Sequence, residues 1–436
     1  MAAVDVRELA THNSRDSCWL AINGIVWDVT AFVSEHPGGA NLILKVAGKD
    51  ATEQYETFHS PELVEETLGL DARKGIIDSA SIPPVDKQSE LKRQERTSPL
   101  LSSMVSVNDF EGVAEKTMTP AAWAYVSSGA DDEISTRENG RIYQKVFLRG
   151  RVLRKVGSVD CSTEILGCKS ALPIYTSPVG LAKLVHPSGE CAIAAADGKE
   201  GIIQVVNTVS SMPIEAIMDA RVSKDQTIFW QLYADKDLQK SETFIEEDLE
   251  TTVDTPQGVG IAKANTGFIN ADIEWATIEW LRGVTKLPLV IKGVQSVEDA
   301  VMAFDHGIDG IVLSNHGGRS QDTAQPPLLT LLEINHYAPH ILDKHMQVFV
   351  DGGIRRGTDI IKALALGATA VGIGRPVLYS MSGGYGEYGV RRMIQILRNE
   401  LQTNMAFIGA KNVREIARGM VNTRRLEKLM IGSVRL

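Results

Sequence analysis

Between Leu172 and Pro376 the chain repeats one pattern: a short apolar run that ends on polar residues, then a stretch long enough for an amphipathic helix. The runs are LPIYTSP (172–178), GIIQVVN (201–207), TIFWQLY (227–233), TTVDTP (251–256), LPLVIKG (287–293), GIVLSNH (310–316), QVFVDGG (347–353) and AVGIGRP (370–376). A strand that is apolar at consecutive positions is covered on both faces, as strands of parallel sheets are. Eight such runs over about 200 residues predict an α/β fold, a (β/α)8 barrel of the TIM type. Nearly every run ends in polar residues at its C-terminal end, the end at which barrels build their sites.

The sixth run is the most informative chemically. Gly310-Ile311-Val312-Leu313 leads into SNHGGRSQD, which sets His316 and Arg319 one short turn apart. An imidazole accepts a proton near neutral pH, and a planar guanidinium grips a carboxylate with two parallel hydrogen bonds. That pairing suits removal of a hydrogen from a small hydroxy acid. The last two runs carry phosphate logic. DGGIRRG (351–357) and GIGRP (372–376) supply glycines that let backbone N–H groups approach an anion, with Arg355 and Arg375 adding charge.

Residues 1–78 read differently, as a small α+β module. WLAINGIVWDVT (19–30) predicts two strands around an Asn23-Gly24 turn. His36, in HPGG, and His59 stand 23 residues apart among helical segments. Trp19, Phe32, Leu44, Val46 and Phe58 are expected to line an apolar slot between them. This module holds 13 Asp and Glu against 6 Lys and Arg, so it carries −7 of the chain's net −10. Such a face would steer a basic protein partner, and its sign argues against nucleic acid. Residues 79–105 are rich in Pro, Ser and charge and read as a linker, or else an ordered strap; 106–436 form the barrel domain.

Composition excludes other classes. No run of eighteen apolar residues exists, so no membrane span is expected. Cys18, Cys161, Cys168 and Cys191 form no CxxC or CxxCH, which points to reduced structural thiols and no covalent haem. The N-terminus has no secretory or transit pattern, so the cytoplasm is expected, or the mitochondrial intermembrane space if a presequence is missing.

The first segment resembles the cytochrome b5 family. That implies a non-covalent haem b with His36 and His59 as axial ligands, an arrangement suited to electron transfer. The ordered motifs SGADDE (128–133), QLY (231–233), TVDTP (252–256), VIKG (290–293), SNHGGR (314–319), DGGIRRG and GRP resemble the FMN-dependent 2-hydroxy acid oxidases and dehydrogenases. The resemblance implies His316 as the base, Asp254 orienting it, and Arg319 on the substrate carboxylate. Tyr125 and Tyr233 would hydrogen-bond the substrate, and Lys292 would stabilise negative charge on the flavin. It further implies an FMN site of Gly180, Asn207, Gln231, Thr252, Lys292 and Asp351. Its phosphate end would comprise Gly352, Gly353, Ile354, Arg355, Gly374 and Arg375.

The chain also departs from the family. Only 19 residues separate Tyr233 from Val253, so the fourth repeat is short or irregular. Gln257, Gly258, Val259, Gly260 and Ile261 fill the window where the family carries a further arginine. The expected function is oxidation of an L-2-hydroxy acid, L-lactate above all, with electrons leaving through haem to cytochrome c or a similar acceptor. The resemblance implies a homo-oligomer, often a tetramer. The alternatives are a non-catalytic haem-binding or interaction protein with a decayed barrel, and an oxidase that uses oxygen.

Overall fold

A computed structural model of the chain describes residues 3–36, 40–52, 55, 63–78, 81, 98–234, 236, 269–342 and 345–434. It separates into two units, one N-terminal and one containing the barrel.

In the N-terminal unit five strands form one sheet in the order β1-β5-β4-β3-β2: β1 (Ala3–Val4), β2 (Asn13–Ser14), β3 (Ser17–Ile22), β4 (Ile25–Asp28) and β5 (Arg73–Ile77). The β3–β4 hairpin closes on Asn23 (φ 51°) and Gly24 (φ 75°), both left-handed, as a tight two-residue turn demands. Around the sheet lie α1 (Val6–Thr11), capped by the Asp5 side chain on Arg7 N–H (2.7 Å), α2 (Ala40–Val46) and α3 (Leu63–Leu68).

Strand alternation divides the apolar residues into two small cores. Cys18, Leu20, Ile22, Trp27, Val33 and Ile43 pack on one face, with Phe32, Leu44 and Val46 against them. Trp19 and Ala21 point the other way, toward Val4, Leu9 and Val26. This corrects the expectation that Trp19 lines the slot beside His36. Its indole instead stacks on His12, with centroids 3.6 Å apart, and the Lys74 ammonium lies over it.

The larger unit contains α4 (Val107–Thr117), α5 (Pro120–Ser127) and α6 (Ile134–Arg141), followed by the barrel repeats. Its strands are β6 (Ile174–Thr176), β7 (Ile203–Val206), β8 (Ile228–Trp230), β9 (Val290–Val294), β10 (Gly310–Leu313), β11 (Gln347–Val350) and β12 (Ala370–Ile373). All pair in parallel, in the order β8-β7-β6-β12-β11-β10-β9. That is the cyclic order of a (β/α)8 barrel read from the third strand round to the fifth. The expected fourth strand, TTVDTP, lies outside the described residues.

Seven of the eight expected runs therefore coincide with strands. Tyr175, Ile203, Val312, Phe349 and Ala370 fill the barrel interior. Ile165, from a hairpin before β6, plugs the end where Leu166 N–H donates to Gln347 Oε1 (2.9 Å).

The helices between strands are α7 (Gly189–Glu200), α8 (Ile214–Asp219), α9 (Ala276–Val284), α10 (Val297–Asp305), α11 (Pro327–Tyr337) and α12 (Gly357–Ala365); α13 (Arg375–Met381) and α14 (Gly386–Ile408) follow β12. Their starts are local. Ser296 Oγ accepts from Asp299 N–H (3.1 Å) to open α10, and α11 begins with proline, whose missing N–H costs nothing there. Of the expected linker, residues 98–105 pack on this unit: Ser98 Oγ donates to the Gly383 carbonyl, and Met104 is buried. No helix of the described residues is long and apolar enough to cross a membrane.

Candidate active site

The mouth at the C-terminal ends of the strands collects the polar residues expected there. Beyond β10 the backbone turns through three consecutive left-handed residues, His316 (φ 56°), Gly317 (φ 65°) and Gly318 (φ 80°). Glycine takes that conformation freely; histidine does so at a cost of about 1–3 kcal/mol, which the surroundings must offset. Ser314 Oγ accepts from His316 N–H (3.0 Å) and from Lys292 Nζ (3.2 Å). Lys292, on β9, also lies 3.4 Å from Asp351 at the end of β11.

His316 is exposed in this mouth, yet enough protein surrounds its ring to disfavour the cation. Desolvation and the positive charge of Lys292 push its pKa down to about 4. Arg319 and Arg375 add to that, while Asp351 opposes it. The imidazole is therefore neutral at pH 7 and able to accept a proton.

Arg319 is fixed by Nη1, which donates to the carbonyls of Tyr125 (2.7 Å) and Ser128 (2.9 Å) where α5 ends. Its guanidinium stands 5.0 Å over the Tyr125 ring. Burial raises the Tyr125 phenol pKa, Arg319 opposes the rise and Tyr233 adds to it, which places both tyrosines and the arginine in one electrostatic neighbourhood. Tyr233 N–H is held by Thr208 Oγ1 (3.0 Å).

The structure thus brings together His316, Arg319, Lys292, Asp351, Tyr125 and Tyr233. Asp254 and Thr252 lie outside the described residues, as do Gln257 to Ile261.

A flavin fits what this mouth leaves unsatisfied. Tyr175 OH, Ser177 Oγ, Gln231 Oε1, Asp351 Oδ1 and Arg375 Nε are buried without hydrogen-bond partners, at or just beyond the ends of β6, β8, β11 and β12. Buried polar atoms ordinarily find partners, so such a ring of orphans marks the place of a polar ligand. Lys292, Arg319, Arg355 and Arg375 against Asp351 make the described mouth cationic, as a phosphate and a carboxylate require. A Cβ on Gly374 would meet open space.

Other expected contacts take a different form. A Cβ on Gly180 would come 2.8 Å from the Val209 carbonyl, so a neighbouring turn already demands glycine there. Asn207 uses its Oδ1 to accept Val209 N–H (2.6 Å). Arg375 Nη2 donates to the carbonyls of Ser128 (3.1 Å) and Gly317 (2.9 Å), tying the last repeat to the His316 loop. Arg355 Nη1 donates to the Ile354 carbonyl (3.1 Å), and Gly352 (φ 86°) and Gly353 (φ 80°) form the turn before it.

In the N-terminal unit Phe32 meets the His36 ring edge-on at 5.8 Å beside the larger apolar core, a setting that suits a flat apolar macrocycle. His59 and Phe58 lie outside the described residues. Loss of the Soret band in His36→Ala, with the protein still folded, is the expected signature of axial ligation; an unchanged band would remove His36 from that role.

Residues 114–256 and 247–423 match the family described as FMN-dependent dehydrogenase, and residues 5–78 match the cytochrome b5-like heme/steroid binding domain. The two barrel matches overlap at residues 247–256. The L-lactate dehydrogenase (cytochrome) of Wickerhamomyces anomalus is 37% identical over 95% of this chain and 79% of that protein. Its counterpart from Saccharomyces cerevisiae is 35% identical over 98% and 80%. The recombinant flavin-binding domain of baker's yeast flavocytochrome b2 superposes with a TM-score of 0.72 at 35% identity, covering 81% of this chain and 95% of that one.

Proposed function

The chain belongs to the FMN-dependent dehydrogenase family, with a cytochrome b5-like domain ahead of its barrel, and from that premise we propose that it oxidises an L-2-hydroxy acid, L-lactate first, to the 2-oxo acid and passes electrons through haem to an acceptor such as cytochrome c. The observation that carries this reading is the convergence of a neutral imidazole, a tethered guanidinium and two tyrosines at one barrel mouth, in a chain that also has a haem module. When bound, FMN supplies the two-electron acceptor and haem the one-electron outlet.

The residues divide the remaining work. Arg319 has one arm anchored on α5 and offers its other edge to the substrate carboxylate. Tyr125 and Tyr233 hydrogen-bond the carboxylate and the hydroxyl oxygen. His316 takes up a proton from the substrate, and Asp254 is assigned the role of orienting it. Lys292 places positive charge where negative charge builds as the substrate is oxidised. Gln231, Asn207, Thr252 and Asp351 would hold the flavin ring and ribityl chain, with Gly180 beside them. Gly352, Gly353, Ile354, Arg355, Gly374 and Arg375 would hold its phosphate. The same proposal includes a homo-oligomer, a tetramer as in the family, and exposed apolar residues such as Val152, Leu153 and Phe407 support an association between copies.

Anaerobic mixing of the purified protein with L-lactate is expected to bleach the flavin and then reduce the haem. A flavin left oxidised by every short 2-hydroxy acid would defeat the proposal, and peroxide matching substrate consumption would turn it toward an oxidase. Arg319→Lys keeps the charge but loses the fork. Its expected cost is about 2–3 kcal/mol, roughly 100-fold in kcat/KM, measured by steady-state lactate oxidation.

A further inference from the structure

Resting on the reading of His316 as proton acceptor, we propose that Asn139 is a positioning residue, which fixes the His316 loop to the Asp351 loop through a buried amide pair with Asn315. Neither asparagine is more than 1% exposed, although they stand 176 residues apart in sequence. Each Nδ2 donates to the other's Oδ1, at 2.8 Å in both directions.

Asn315 then controls the turn. Its Oδ1 also accepts Gly318 N–H (3.0 Å), so one side chain spans His316 and Gly317, and its Nδ2 reaches the Gln325 carbonyl (3.3 Å). The segment it closes contains the left-handed histidine, a backbone state that relaxes unless something holds it.

Asn139 meets the other loop as well. A Cβ on Gly352 would lie 3.2 Å from Asn139 Nδ2, and one on Gly353 would lie 2.0 Å from the Asn139 carbonyl oxygen. The start of α6 and the turn before it hold the His316 side: Thr136 Oγ1 donates to the Gly317 carbonyl (3.2 Å), and Asp322 accepts Ser135 N–H (2.9 Å) and Asp132 N–H (3.1 Å). Helix α6 is thus a strut between the loop of the base and the loop of Asp351, and Asn139 is its hydrogen-bonded tip.

A side-chain amide donates and accepts in this reciprocal way without ionising, whereas an ionised carboxylate only accepts. Asn139→Asp keeps the shape but cannot donate. It leaves Asn315 Oδ1 facing a carboxylate oxygen, or forces Asn315 to flip and turn its amino group on Gly318 N–H. A packing role predicts that aspartate is milder than alanine; a positioning role predicts that it is at least as damaging. Small displacements of a reacting group cost up to about 100-fold in rate.

The test uses the full-length holoenzyme with Asn139→Asp and Asn139→Ala. Anaerobic stopped-flow reduction by L-lactate should slow about 100-fold per bound flavin, with half-saturating lactate changed less than about threefold. Independently, the pH dependence of His316 carbethoxylation, read by mass spectrometry, should shift in Asn139→Ala, which adds no charge of its own. The ring would have moved relative to Lys292, Asp351, Arg319 and Arg375, the charged groups that set its proton affinity. Wild-type rates per bound flavin together with an unshifted His316 titration would overturn the proposal, even with a lowered Tm. If L-lactate fails to reduce the wild type, the functional reading has failed instead, and the carbethoxylation experiment still decides the role of Asn139.

Discussion

Replacing His316 with glutamine is expected to slow anaerobic flavin reduction by L-lactate by about four orders of magnitude, with flavin content unchanged. Glutamine preserves bulk and hydrogen bonding but cannot accept a proton near neutral pH. The size of the effect rests on the neutral imidazole. Desolvation and Lys292 hold its pKa near 4, so acceptor capacity is complete at pH 7 and is lost only as pH falls through that value. The wild-type rate should therefore be flat from pH 8 down to about 5 and decline below, and the variant should lack that limb. A carboxylate brought against the ring, the part assigned to Asp254, moves the limb to higher pH. The stability contribution has the same sign: a histidine depressed from 6.5 favours folding above 6.5 and loses that contribution as pH falls through about 4. A His316→Gln protein reduced within tenfold of the wild-type rate would end its assignment as the base.

Much of this was legible because parallel strands leave a simple trace. An apolar run with polar tips names both the strand and the mouth, and Gly310–Leu313 leading to His316 is the clearest case. What supports the mouth left no such trace. Asn139 and Asn315 look like ordinary polar residues until the fold sets their amides 2.8 Å apart, and no periodicity links partners 176 residues distant. SGADDE was visible as a motif but not as a wrap on the His316 loop, where Ala130 N–H donates to the Gly318 carbonyl (2.8 Å). Trp19 was within reach of the sequence. The two-residue Asn23-Gly24 turn sets the β3–β4 register, and strand parity then puts Trp19 with Ala21 rather than with Leu20. Gly180 was not within reach, since a glycine demanded by a turn and one demanded by a ligand read identically.

Asp197→Asn is expected to stabilise the barrel at pH 8 and to leave it nearly unchanged at pH 4. Asp197 lies fully buried on α7, and neither carboxylate oxygen has a hydrogen-bond partner of normal geometry. The nearby Thr176 hydroxyl offsets little of the desolvation, which raises the carboxyl pKa from 3.8 to about 7. Thr176 is a neutral hydroxyl, so it cannot neutralise the carboxylate. In the unfolded chain the proton leaves near 3.8, while in the folded one it stays until about 7. Between those values the folded state binds the extra proton, so stability is greatest at low pH and falls as pH rises to about 7. A difference of about 3 pKa units corresponds to about 4 kcal/mol, removed entirely by a side chain that cannot ionise. The difference in Tm between variant and wild type cancels every other titrating group, His316 included. It should grow from near zero at pH 4 to several degrees at pH 8. A constant difference across that range would show that Asp197 does not change its charge there, and a lower Tm for the variant at pH 8 would mean that the carboxylate is held by a partner.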